Sequence, residues 1–162
     1  MKAPTMDVSA LAIASRELLN RGDPVGAERV LSPVFRQLGA DASVLHLMGL
    51  IKKAQNKMDE AIALFRKAIQ NAPEDPSFRN NLGTALARRQ MVTEATAEFQ
   101  EAVRLAPEYA EARVNLANAL LASGRKDEAV AQLNEALRLK PGYKPALQTL
   151  QRARDQQGTL AR

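Results

Sequence analysis

Related seven-residue segments recur every thirty-four positions: KAIQNAP at Lys67–Pro73, then EAVRLAP at Glu101–Pro107 and EALRLKP at Glu135–Pro141, the last two nearly the same. A fixed period of that length requires a stack of similar supersecondary units. Each unit buries only part of its apolar surface alone, and its neighbours complete the core. Such an array is expected to work by presenting a surface rather than by enclosing a catalytic pocket.

Rows of thirty-four that begin at Val8, Ala42, Pro76 and Ala110 each hold two helical patterns. In the fourth row Ala112, Leu116, Ala119 and Leu120 share one face and Ala129, Leu133, Ala136 and Leu137 another, with Ser123–Asp127 as the turn. Three columns carry small residues where helices must approach closely: Ser15, Gly49, Gly83 and Ala117; Ala27, Ala61, Ala95 and Ala129; and Val34, Ala68, Ala102 and Ala136. Larger residues, such as Leu31, Phe65, Phe99 and Leu133, fill the spaces between. Pro73, Pro107 and Pro141 stop the second helices. Aromatic residues make up only 4% of the chain and tryptophan is absent, so the core must be aliphatic and rich in alanine, which favours helix. Nine helices and no strand are expected. Pro33, deep in a second helix, should cost about 3 kcal/mol unless a kink absorbs it, whereas Pro24 after Asp23 suits a helix's first position.

A small residue at column eight, alanine at twenty, an aromatic residue or leucine at twenty-four, alanine at twenty-seven and proline at thirty-two resemble the tetratricopeptide repeat. The resemblance covers Val8 to Pro141 as four repeats, the first degenerate, with Gly39 for the proline and Val34 for the alanine. It implies an all-α fold, a right-handed α-solenoid of antiparallel helix hairpins. Repeats are expected at 8–41, 42–75, 76–109 and 110–143, a capping helix at 144–157, and tails at 1–7 and 158–162. The tryptophan common at column four is Leu11, Leu45, Arg79 and Arg113 here, and the tyrosine common at column eleven is Lys52 in the second repeat. Past Pro141, Ala146, Leu147, Leu150 and Ala153 share a face opposite polar residues, the pattern expected where an array ends.

Nothing in the sequence assembles a catalytic constellation, and neither an enzyme nor a cofactor is expected. Cysteine is absent, which excludes disulfides and thiolate metal sites. The single histidine, His46, has no ligand-spaced partners and is expected on the surface or the wall of a groove. The acidic pairs Asp59-Glu60 and Asp127-Glu128 fall at the starts of second helices, where the dipole favours them. The formal charge of +5 is interleaved with acids, and of the two tyrosines only Tyr143 has basic neighbours, so nucleic-acid binding is not expected. No run of eighteen apolar residues suggests a membrane span. The first fifteen residues lack a secretory pattern, and a cytoplasmic location is expected.

In the tetratricopeptide family the first helix of each repeat lines a concave groove. The resemblance therefore assigns a peptide-binding role to Arg16 and Asn20 in the first repeat, and to His46, Leu50 and Lys53 in the second. The third supplies Asn80, Asn81, Thr84 and Arg88, the fourth Asn115 and Asn118, and the capping helix Gln148 and Arg152. Asn81 and Asn115 share column six, and an asparagine amide can pair with both the carbonyl and the N–H of a peptide backbone. First helices roughly 9–10 Å apart span about three residues of extended chain. The pair is similar to two rungs of the asparagine ladder in O-linked N-acetylglucosamine transferases. A clamp for acidic chaperone tails is not reproduced, because its positions hold His46, Leu50, Asn81, Glu111 and Asn115 in one register and Asn80, Thr84, Asn115, Pro145 and Thr149 in the other. The expected function is a protein–protein interaction module that takes an extended, neutral to acidic peptide. The alternatives are the recruiting N-terminal region of a larger glycosyltransferase or sulfotransferase, and a scaffold that self-associates weakly through Leu11, Ile13, Leu18 and Leu19.

Overall fold

The structure, a computed structural model, describes residues 7–158. Among them are nine helices and no strand: α1 (Val8–Asn20), α2 (Pro24–Leu38), α3 (Ala42–Ala54), α4 (Met58–Asn71), α5 (Pro76–Arg88), α6 (Val92–Leu105), α7 (Ala110–Ala122), α8 (Lys126–Leu139) and α9 (Lys144–Gly158). The fold is an all-α helical repeat. The turn expected at Ser123–Asp127 is shorter, since Lys126 and Asp127 already belong to α8. The chain divides after Pro73 into two compact units, one built from α1–α4 and one from α5–α9.

Local chemistry explains where the helices start and turn. Asp7, Asp23, Asp41 and Asp75 cap α1, α2, α3 and α5, each accepting a backbone N–H from the first turn. The second helices of later hairpins start without a side-chain cap. All four second helices, capped or not, follow a left-handed residue at one fixed column: Gly22 (φ 80), Asn56 (φ 63), Gln90 (φ 61) and Gly124 (φ 74). At each, the next N–H reaches back into the first helix, as from Met91 to the Leu86 carbonyl at 3.0 Å and from Arg125 to that of Leu120 at 2.9 Å. These bonds satisfy carbonyls the helix end would otherwise leave unpaired.

In the first unit Leu31 and Val34 of α2 pack with Val44, Leu47, Met48 and Ile51 of α3. Three of the four apolar residues expected to lie open on α1, namely Leu11, Leu18 and Leu19, pack against this cluster. Ile13 remains 61% exposed. Helix α2 continues through Pro33, with Ser32 Oγ donating to the Glu28 carbonyl at 2.7 Å.

In the second unit Leu82, Leu86 and Phe99 are buried in the first hairpin, Leu116, Leu120 and Leu133 in the second, and Ala146, Leu150 and Ala153 bury the inner face of α9. The hairpins close on their small columns. A Cβ placed on Gly83 would lie 2.7 Å from Phe99 Cε1, and one on Gly49 would lie 2.5 Å from Phe65 Cε1. Where the small residue carries a Cβ, as Ser15 or Ala117, the residue sixteen positions on is Leu31 or Leu133 rather than phenylalanine.

Candidate functional site

Within the second unit an open cavity of about 330 Å³ lies between α5 and α7. Its walls are Thr84, Ala87 and Arg88 of α5 and Asn115, Asn118 and Ala122 of α7, and Val92, Ala95 and Phe99 of α6 with the buried Ala119 of α7 form its floor. Small side chains account for the space: alanine at four of these positions leaves room that larger residues would fill. The surface is apolar in depth and polar at the rim, the usual composition of a site that buries a side chain and orients its backbone.

The rim asparagines are held by a network that crosses from one first helix to the next. Asn80, only 2% exposed, donates from Nδ2 to Tyr109 Oη at 3.2 Å and to Glu111 Oε1 at 3.3 Å. Its Oδ1 accepts from Asn115 Nδ2 at 2.9 Å. Burial, and secondarily the Glu111 carboxylate, pushes the Tyr109 phenol above its usual range and keeps it a neutral hydroxyl. On the neighbouring turn Asn118 Oδ1 accepts from Arg152 Nη2 at 3.1 Å and from Thr149 Oγ1 at 3.4 Å. Arg152 also donates to Thr149 Oγ1 at 3.0 Å.

Of the residues expected to line a groove, Thr84, Arg88, Asn115 and Asn118 come together around this cavity, and Arg152 stands beside Asn118. Asn80 does not face the open side as expected, because Tyr109 and Glu111 of the next hairpin engage it. Asn81 donates to the Ser77 carbonyl of its own helix at 3.0 Å, and Gln148 is exposed on α9. In the first unit Arg16 and Asn20 are exposed on α1, and Leu50 and Lys53 are half-buried on α3. His46 differs from its expected place on a surface or groove wall: it is 8% exposed, with its ring 5.6 Å from that of Phe65. The parts that sequence reasoning missed are Tyr109 and the apolar floor, and only the alanine columns hinted at the latter.

A second feature missed by sequence reasoning lies in the first unit. Lys52 reaches Glu28 at 2.7 Å and Glu60 at 3.2 Å, and Gln55 also donates to Glu28 at 2.7 Å. The hydrogen bond from Lys52, then that from Gln55, holds the Glu28 carboxyl below its usual range, and Glu28 in turn raises the Lys52 ammonium. The lysine at column eleven is therefore neutralised by carboxylates and offers no free charge to the cavity of about 680 Å³ it borders with Phe35, Met48 and Leu64. Among the described residues no three potential metal ligands converge, and no helix is long and apolar enough to cross a membrane.

Comparison with known proteins places this architecture. Two profiles described as tetratricopeptide repeat match residues 46–110 and 86–154. No curated protein sequence matches the chain. Among solved structures, MamA residues 41 to the end from Desulfovibrio magneticus RS-1 is 21% identical, with a TM-score of 0.83 over 96% of this chain and 88% of that one. YrrB, described as a TPR protein with an unusual peptide-binding site, is also 21% identical, with a TM-score of 0.75 over 94% and 78%. The first TPR of Spaghetti (RPAP3), solved with the HSP90 peptide SRMEEVD, is 26% identical, with a TM-score of 0.71 over 73% and 94%. With its hairpins, its small-residue columns and these matches, the chain belongs to the tetratricopeptide repeat family.

Proposed function

We propose that the protein is an interaction scaffold whose second unit binds an extended peptide segment of a partner in the cavity between α5 and α7. The observation that carries this reading is an apolar floor, made by Ala95, Phe99 and Ala119, rimmed by asparagines and a cation from two successive first helices. An extended chain laid across α5 and α7 leaves its backbone beside Asn115 and Asn118 and can lower a side chain to the floor. The family match and the peptide-bound RPAP3 repeat, at 26% identity, support a protein-interaction role. Arg88 at the rim and Arg152 beside Asn118 bias the site toward neutral or acidic segments.

The test is panning of a random twelve-residue phage library on the whole chain, with affinities then measured by fluorescence anisotropy. Ala122→Trp fills the cavity from an exposed position and should abolish binding of the recovered peptides, while Ala131→Trp, exposed on α8, should not. Recovery of no peptide, or equal binding by Ala122→Trp, contradicts the reading.

A further inference from the structure

Two charged residues, each with one-way hydrogen-bonding capacity, fix the orientation of the two rim asparagines. A carboxylate only accepts and a guanidinium only donates, whereas an amide can present either end. Glu111 therefore obliges Asn80 to face it with Nδ2, and Asn80 meets Asn115 with Oδ1. Asn115 must then turn its own Nδ2 toward Asn80, which leaves its Oδ1 as the end not engaged by the protein. The reverse holds one turn along α7. Arg152 obliges Asn118 to face it with Oδ1, which leaves Asn118 Nδ2 with its two hydrogens. Neither Asn115 Oδ1 nor Asn118 Nδ2 has a partner among the described residues.

Asn115 and Asn118 stand three residues apart on one helix and line the same cavity. Residues at that spacing are neighbours on a helix face, with about 5–6 Å between their Cβ atoms. A residue of an extended chain projects its N–H and C=O from the same edge, as one strand presents them to the next.

We propose that the cavity is a polarised backbone clamp, in which Asn115 accepts a peptide N–H, Asn118 donates to a peptide C=O, and the floor at Ala95, Phe99 and Ala119 takes an aliphatic side chain of the same segment. This rests on the reading of the cavity as a peptide site and adds what it recognises. The ligand is an extended chain held by both polar groups of its backbone, with an acceptor and a donor that cannot exchange places. Glu111 and Asn80 are positioning residues, because they act on the peptide only through Asn115.

The test uses a twelve-residue peptide recovered from the library and its single-ester analogues, each with one backbone N–H replaced by oxygen, at about 0.5 M salt so that added charge is screened. One ester position should weaken binding at least tenfold, and the loss there should be smaller in Asn115→Ala, which has no acceptor left to lose. Asn118→Asp keeps the pairing with Arg152 but removes the donor, and should weaken the all-amide peptide at least tenfold with the fold intact by circular dichroism. Glu111→Gln, which can donate or accept, should weaken it about three- to tenfold although Glu111 does not line the cavity. A flat ester scan together with wild-type affinity in Asn118→Asp overturns the clamp while leaving a peptide site standing. Absence of any peptide binding by the wild-type chain overturns both.

Discussion

Phe99 lies so close to Gly83 that a methyl group on that glycine would meet its ring at 2.7 Å. The glycine is therefore part of the aromatic residue's packing, and the third hairpin of the sequence period is closed by a matched pair. Gly83→Ala should destabilise the protein by about 1–3 kcal/mol through overpacking. Adding Phe99→Leu should recover most of the loss, since alanine with leucine is the combination found at Ala117 and Leu133. Urea unfolding of the two single variants and the double variant measures the coupling. Additive effects would mean that the two side chains do not share this space.

Gln90 occupies a left-handed conformation that Gly22 and Gly124 occupy at the same column. An L-residue pays about 1–2 kcal/mol there, while glycine pays more backbone entropy on folding. Gln90→Gly should stabilise the chain by about 0.5–1 kcal/mol, and Asn56→Gly by less, because asparagine tolerates the region better. Gly124→Ala should destabilise although nothing lies within 4 Å of its Cβ position, so its cost would be purely conformational. Melting midpoints of the three variants check the order.

The Glu28–Lys52 pair makes a prediction about pH. Glu28 is held below its ordinary value of 4.5, so it contributes stability that is present above that value and lost as the pH falls through its lower folded-state value. Lys52 is held above 10.5, so its contribution is present below that pH and lost only at still more alkaline pH. Glu28→Gln should lower the melting temperature at pH 7 and shrink the acid-side loss, and the two proteins should converge once the carboxylate is protonated. A constant offset from pH 7 down to pH 2 would contradict the role assigned to the pair.

Arg88→Glu should weaken acidic peptides selectively, and the difference should fade with added salt, because an exposed charge acts over a Debye length of about 8 Å at physiological ionic strength. Neutral peptides held by Asn115 and Asn118 should be nearly indifferent to it. Anisotropy titrations at low and high salt separate the two contributions.

Helix positions were legible in the sequence because they depend on local chemistry. The stop prolines and the small columns repeat at thirty-four residues, and α1, α3, α5, α7 and α9 begin at Val8, Ala42, Pro76, Ala110 and Lys144. The left-handed turns were less legible, since Asn56 and Gln90 stand where glycine would have announced them. The site was legible only as a set of columns. Which way an asparagine turns depends on partners about thirty residues away, so Asn80 read as a groove residue although Tyr109 and Glu111 engage it. His46 read as an imidazole on the surface or a groove wall because a lone histidine gives no sign of packing against Phe65. Asn81 and Asn115 shared a column, yet it is Asn115 and Asn118, on the same helix, that line one cavity.

The most direct measurement is the change in backbone amide chemical shifts of the whole ¹⁵N-labelled chain as a library-derived peptide is added. The account predicts that the largest shifts gather at Thr84, Arg88, Asn115, Asn118 and Ala122, and that they vanish in Ala122→Trp. Shifts gathered on α8 or in α1–α4, with the Ala122→Trp protein responding like wild type, would contradict it.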